Sequence, residues 1–202
     1  MINIEALTHG REPKNGEYLT IVIDGRGASG KTALAAFLGR TLEGFTVLNG
    51  DDYFEPHDHD VTWGDFNEQR FQDEVLTPIN LGFREFSIRP FDFPRSELGQ
   101  PIHLSISSGV IIERCFSFTL PLSGDVLIWV ETPPMICLER GLQRDGAIAL
   151  GERASAAWEQ VWQPREARYI SESSPMKIAD YVVDGTRPFG EEGWLLRSGT
   201  ND

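Results

Sequence analysis

Residues 25–32 read Gly25-Arg-Gly-Ala-Ser-Gly30-Lys31-Thr32, an uninterrupted G-x-x-x-x-G-K-[ST] pattern. Glycines let several backbone N–H groups curl around one anion at the positive end of a following helix. A lysine at this spacing can reach the β- and γ-phosphates of a nucleoside triphosphate, and the Thr32 hydroxyl can give an oxygen to Mg²⁺. Gly25, Arg26, Gly27, Ala28, Ser29, Gly30, Lys31 and Thr32 are therefore the expected nucleotide-binding residues, with ATP and Mg²⁺ as cofactors. The competing reading is a glycine-rich turn without a ligand, and the complete pattern argues against it.

A triphosphate loop does not say what the phosphate is used for. No N-K-x-D base-reading motif of the GTPase kind is present. Two other segments favour transfer to a small molecule. Asp51-Asp52-Tyr53-Phe54 follows an apolar stretch, and a carboxylate there can accept the proton of an attacking hydroxyl. Arg140 and Arg144, four residues apart, share one helix face and can close on a transferring phosphoryl group. Taken alone, the acids would be a solvated turn and the arginines an exposed salt-bridging face.

These residues need a frame. Leu19–Asp24, Phe45–Leu48, Val110–Glu113, Val126–Val130 and Tyr181–Val183 read as short buried strands, the last of them closing the series. Helices are expected over Thr32–Leu42, about Asn67–Leu76 (ending near Pro78), Pro134–Gln143 and about Glu152–Ser171, with Pro164 as an obstacle. Phe86–Ile106 is expected to be irregular or a small hairpin. Strands alternating with helices predict a three-layer α/β/α domain with a mainly parallel sheet, whose carboxyl ends form the ligand crevice.

The 202 residues suit one domain, 1–202, with a lid near 140–153 and an acceptor region near 51–100. A net charge of −13 argues against nucleic acid or an anionic membrane surface as partner. No apolar run reaches membrane-spanning length, the first residues lack signal-peptide character, and Cys115 and Cys137 form no disulfide framework or zinc spacing. A reduced, cytoplasmic protein with a small-molecule partner is the expectation, with room for a homo-oligomer.

The order of phosphate loop, Asp51-Asp52-Tyr-Phe, Phe91-Asp92-Phe93, apolar strand ending in Glu113, and Arg140-x-x-x-Arg144-Asp145 resembles the uridine kinase and nicotinamide riboside kinase group. That group belongs with phosphoribulokinase and pantothenate kinase among P-loop kinases, and the similarity runs from about Leu19 to Gly185. The resemblance implies a P-loop NTPase fold with a small lid. It also implies that Asp51 is the general base, with Asp52 the adjacent alternative. Asp52, Tyr53, Asp65, Phe91 and Asp92 would bind the acceptor, Thr32 and Glu113 would face the metal, and Lys31, Arg140 and Arg144 would serve catalysis. Ala179–Gly185 would be the last strand, near the adenine pocket. Two departures stand out: Arg114 occupies the place of a glycine, and no histidine follows the Phe-Asp-Phe segment. The second weakens uridine or cytidine as acceptor, and both leave room for a non-catalytic, regulatory nucleotide-binding protein.

Charge is concentrated locally. From Asp51 to Glu74 there are nine acids and one base, Arg70, a net of −8. On the acceptor side this favours a neutral or cationic acceptor, unless Arg84, Arg89 and Arg95 fold back into the same pocket. His57 and His59 read as part of a polar loop, the two cysteines as packing residues, and Trp158, Trp162 and Tyr169 as core packing or cover over the lid hinge.

Overall fold

The computed structural model describes residues 4–57, 60–92, 95, 97–122, 124–147, 155–190 and 195–198. The first half contains β1 (Leu19–Gly25), α1 (Lys31–Thr41), β2 (Phe45–Asn49), β3 (Phe54–His57), β4 (Asp60–Phe66) and the helical run α2 (68–80). Short strands follow: β5 (Glu85–Ile88), β6 (Phe91–Asp92), β7 (Glu97–Leu98) and β8 (Ile102–Ser105). Then come β9 (Gly109–Glu113), β10 (Val126–Glu131), α3 (Pro134–Ala147), α4 (155–173), α5 (Pro175–Ile178), β11 (Tyr181–Asp184) and β12 (Leu195–Ser198).

Six strands form one sheet in the order β12-β11-β10-β1-β9-β2, parallel except for β12. Alternate residues of β9 enter opposite cores. Ile111 packs with Leu34, Leu38 and Ile128 on the α1 side, while Val110 and Ile112 pack with Phe71, Val75 and Ile79 on the α2 side. A sheet buried on both faces needs apolar residues in unbroken runs, which is why its strands lack polar alternation. The result is a three-layer α/β/α architecture, as expected. Among the described residues no helix is long and apolar enough to cross a membrane.

Two local expectations are corrected, the last strand and the helix end near Pro78, and two other regions gain detail. β12 pairs antiparallel with β11, so Tyr181–Asp184 is not the final strand; four residues are too few to show a strand period. Residues 54–57 and 60–66 pair as the β3–β4 hairpin, a pairing the sequence did not suggest, and the polar loop expected at His57 and His59 falls partly on positions 58–59, outside the described residues. The 86–106 region, expected to be irregular or a small hairpin, holds two nested antiparallel pairs, β5 with β8 and β6 with β7. Two helices carry an internal proline: α2, expected to end near Pro78, continues to Asn80, and α4 runs through Pro164 as expected. In each, a π turn precedes the ring, Gln72–Leu76 before Pro78 and Trp158–Trp162 before Pro164. The Thr77 N–H bonds to the Gln72 carbonyl and the Gln163 N–H to that of Trp158, so the widened turn makes room where an α-turn would clash.

Candidate active site

Register brings the motifs together. Glu113 pairs with Ile23 of β1 on one side and with Asn49 of β2 on the other. The loop after β1, the end of β9 and the acids after β2 therefore emerge side by side at the carboxyl edge of the sheet.

Gly30 adopts a left-handed conformation, φ 107°, and launches α1 at Lys31. Lys31 is buried, and its Nζ donates to the Arg26 carbonyl at 2.7 Å and to Cys115 Sγ at 3.2 Å. Burial opposes the ammonium charge, but Cys115, Glu113 and Asp51 outweigh it and hold the lysine protonated. The Thr32 hydroxyl donates to Glu113 Oε1 at 2.9 Å, and burial raises the Glu113 pKa. Asp24 anchors the loop from below: it is fully buried and accepts from the Gly25, Phe116 and Phe118 N–H groups and the Tyr169 hydroxyl. Glu166 of α4 accepts from the Gly27 N–H at 2.6 Å.

Among the described residues, three buried side-chain polar atoms lack a hydrogen-bond partner: Arg26 Nε, Ser29 Oγ and Arg114 Nη1. All three belong to this edge of the sheet. Such atoms cost stability unless something pairs with them. Two lie in the glycine-rich loop. No group of three or more His, Cys, Asp or Glu forms a metal cage among the described residues. Thr32 and Glu113 supply two oxygens, a set that suits a Mg²⁺ ion carried mainly by phosphates and water.

A short turn, Gly50–Tyr53, follows β2, and the Asn49 side chain accepts from the Asp51 N–H. Asp51 is exposed. Asp52 is half-buried, and burial together with the Asp51 charge lifts its pKa to about 6. Tyr53 is buried, donates to Glu74 and carries the Arg70 guanidinium 4.4 Å above its ring. Arg70 also bridges Glu55 and Glu74 and donates to the Asp52 carbonyl. Arg114 pairs with Glu68 at 2.9 Å. Three of the clustered acids thus have arginine partners, which reduces the uncompensated negative charge expected from the sequence.

The other expected residues fall as follows. Asp65 lies on β4 opposite Glu55, and its side chain is outside the description. Asp92, with Phe91 in β6, accepts from the Arg95 N–H. Phe93 lies outside the described residues. Arg84 turns to Glu17, Arg89 to the Gly99 carbonyl, and Arg95 pairs with Asp92. Arg140 donates to the Gly185 carbonyl at 2.8 Å and Arg144 to Asp145 at 2.8 Å. Burial works against the Arg144 charge, Asp145 restores it and Asp51 adds to it, so this arginine shares the site's field. Part of the expected lid, residues 148–154, is outside the description.

No family model matches the chain, and no curated protein matches it in sequence. Solved structures do match in fold. One is a candidate uridine kinase from Bacillus stearothermophilus, with TM-score 0.62 and 18% identity over 90% of this chain and 95% of that one. Another is a candidate fructose transport system kinase from Silicibacter sp. TM1040, with TM-score 0.61 and 19% identity over 85% of this chain and 95% of that one. The fold is P-loop NTPase-like. Sequence reasoning missed Cys115 and Glu166, which meet the loop from afar, whereas Trp158 packs as expected. Trp158 lies where a Cβ at Gly27 or Gly141 would be, 2.8 and 2.2 Å away, so it packs loop against α3. Nothing local in the sequence marks Glu166, which contacts the loop across 139 residues.

Proposed function

We propose that this chain is an ATP- and Mg²⁺-dependent phosphotransferase acting on a hydroxyl of a nucleoside or similar small molecule. The observation that carries the reading is the register of β1, β9 and β2. It sets Lys31 and Thr32, Glu113, and Asp51 along one edge, and this common edge supports a reading in which donor, metal and acceptor meet there. The kinase names of the two similar structures point the same way. Two free cysteines fit a reducing compartment, the cytoplasm.

Bound ATP with Mg²⁺ supplies the transferable phosphoryl group and its counter-charge. The loop N–H groups, Lys31, Arg26 and Ser29 hold the phosphates, and Thr32 with Glu113 offers the metal its oxygens. Asp51, exposed and held at its backbone by Asn49, accepts the hydroxyl proton. Asp52, Tyr53, Asp65, Phe91 and Asp92 orient the acceptor. Arg140 and Arg144 leave their present partners to offset charge on the transferring group as the lid closes.

An ADP-release assay across nucleosides, pantothenate and sugar alcohols tests this. We expect acceptor-stimulated turnover, with Asp51→Asn retaining ATP binding while losing about 10²–10⁴-fold in rate. Lys31→Ala should weaken ATP binding itself. Full transfer by Asp51→Asn would remove its role as base. Tight ATP binding that no acceptor stimulates would instead mark a regulatory nucleotide-binding protein.

A further inference from the structure

The side chain of Arg114 lies at the junction of the strand carrying Glu113 and the acceptor wall. Its stem runs along the Gly50 backbone so closely that a Cβ at position 50 would lie 2.5, 2.7 and 2.9 Å from Arg114 Cβ, Cγ and Cδ. Gly50 immediately precedes Asp51. The guanidinium then spreads over Phe66, its carbon 3.4 Å from the ring centroid, and reaches Phe71 at 5.7 Å. Phe66 closes the β3–β4 hairpin, and Glu68 opens α2. Arg114 is thus walled by the turn bearing the base, the hairpin and the first turn of α2.

Its charge is incompletely paired. The side chain is 9% exposed, yet its one ion-pair partner among the described residues, Glu68, is 68% exposed. A carboxylate that wet contributes little and can swing away. Arg114 Nη1 has no hydrogen-bond partner among the described residues. A buried guanidinium presents a fork of donors suited to carboxylate or phosphate, and leaving one arm empty is costly. The nearby Arg70, by contrast, has two carboxylates and the Asp52 carbonyl.

We infer that Arg114 is a specificity-determining residue and that the acceptor is a small hydroxylated acid, whose carboxylate or phosphate takes the free arm of Arg114 and competes with Glu68. This rests on the phosphotransferase reading and narrows its acceptor class. The pairing of Glu55 and Glu74 with Arg70, which an acid on Arg114 leaves intact, removes part of the charge objection to such an acid. Because the Arg114 stem lies on Gly50, an acid seated on the guanidinium also fixes the backbone next to Asp51.

The test compares acids with their neutral counterparts: glycerate with glycerol and pantothenate with panthenol for a carboxylate, ribose 5-phosphate with ribose for a phosphate. Steady-state ADP release gives kcat/KM for each, and calorimetric titration in the presence of a non-hydrolysable ATP analogue gives affinity without turnover. We expect an acid in one pair to exceed its neutral partner by about tenfold or more. The acid-to-neutral ratio should fall about tenfold in Arg114→Met, mainly through KM, and recover in part in Arg114→Lys. Glu68→Gln changes only an exposed side chain, so it tests the idea even if Arg114→Met fails to fold; it should tighten acid binding several-fold. Neutral acceptors preferred throughout, or an unchanged ratio in both Arg114→Met and Glu68→Gln, would overturn the inference, as would loss confined to ATP binding. Acid binding that depends on Arg114 without any turnover would sink the kinase reading and leave the acid site standing. Turnover without acid preference would do the reverse.

Discussion

Asp51 and Asp52 are adjacent in the chain but differ in setting: one is exposed, the other half-buried beside Arg70 with its pKa lifted to about 6. The sign of the consequence follows from proton binding. Native Asp52 holds its proton more tightly than the unfolded chain, so its charging weakens the fold as pH rises from 3.8 towards about 6, and the full cost is present above that. Asp52→Asn should therefore melt higher than the native protein at pH 7–8, by about 2–4 °C for each kcal/mol relieved, and no differently below pH 4. Thermal unfolding across that range checks it; equal melting temperatures at pH 8 would mean that Asp52 is not strained by its charge. At this scale the loop residues were legible because their pattern is local. Arg114 was visible only as a departure from a resemblance, since its meaning depends on Gly50, Phe66 and Glu68, which no spacing connects to it.

Among elements, α4 joins parts of the site that its sequence does not announce. Trp158 packs against Gly27 and Gly141 and donates to Asp145, while Trp162, at the other end of the same π turn, packs on Phe54 of the β3–β4 hairpin at 5.8 Å. One helical turn thus touches the phosphate loop, α3 and the hairpin. Trp158→Ala should cost about 3–5 kcal/mol in denaturant unfolding and also weaken ATP binding, because the wall behind Gly27 goes with it. A stability loss with unchanged ATP affinity would mean the tryptophan only fills space. Strand positions were legible since buried parallel strands are unbroken apolar runs. The passage of α2 through Pro78 was not, and neither was the π turn ahead of Pro164 in α4, because proline signals a stop unless the preceding turn widens, and no residue type encodes a π turn.

For the whole molecule, the charge of −13 opposes a polyanionic nucleotide at long range, while the cations that would bind it are confined to one edge of the sheet. The association rate with ATP should therefore rise as salt increases from about 0.01 to about 0.15 M, as screening shortens the reach of the repulsion. Stopped-flow binding of a fluorescent ATP analogue measures this, and a rate that falls with salt would show that the local cations dominate even at a distance. The frame itself was legible from the alternation of strands and helices, whereas the β3–β4 hairpin and β12 were too short or too polar to declare themselves. The contacts that shape the phosphate loop also set an order in time. The loop is made early in synthesis, but Asp24 awaits Phe116, Phe118 and Tyr169, Gly27 awaits Glu166, and a Cβ at Gly185 would lie 2.2 Å from the Ser29 carbonyl oxygen. A ribosome-bound chain arrested before Glu166 emerges should fail to retain an ATP analogue, and one exposed past Gly185 should hold it. The segment that defines the site on paper becomes a site only when the far end of the chain arrives.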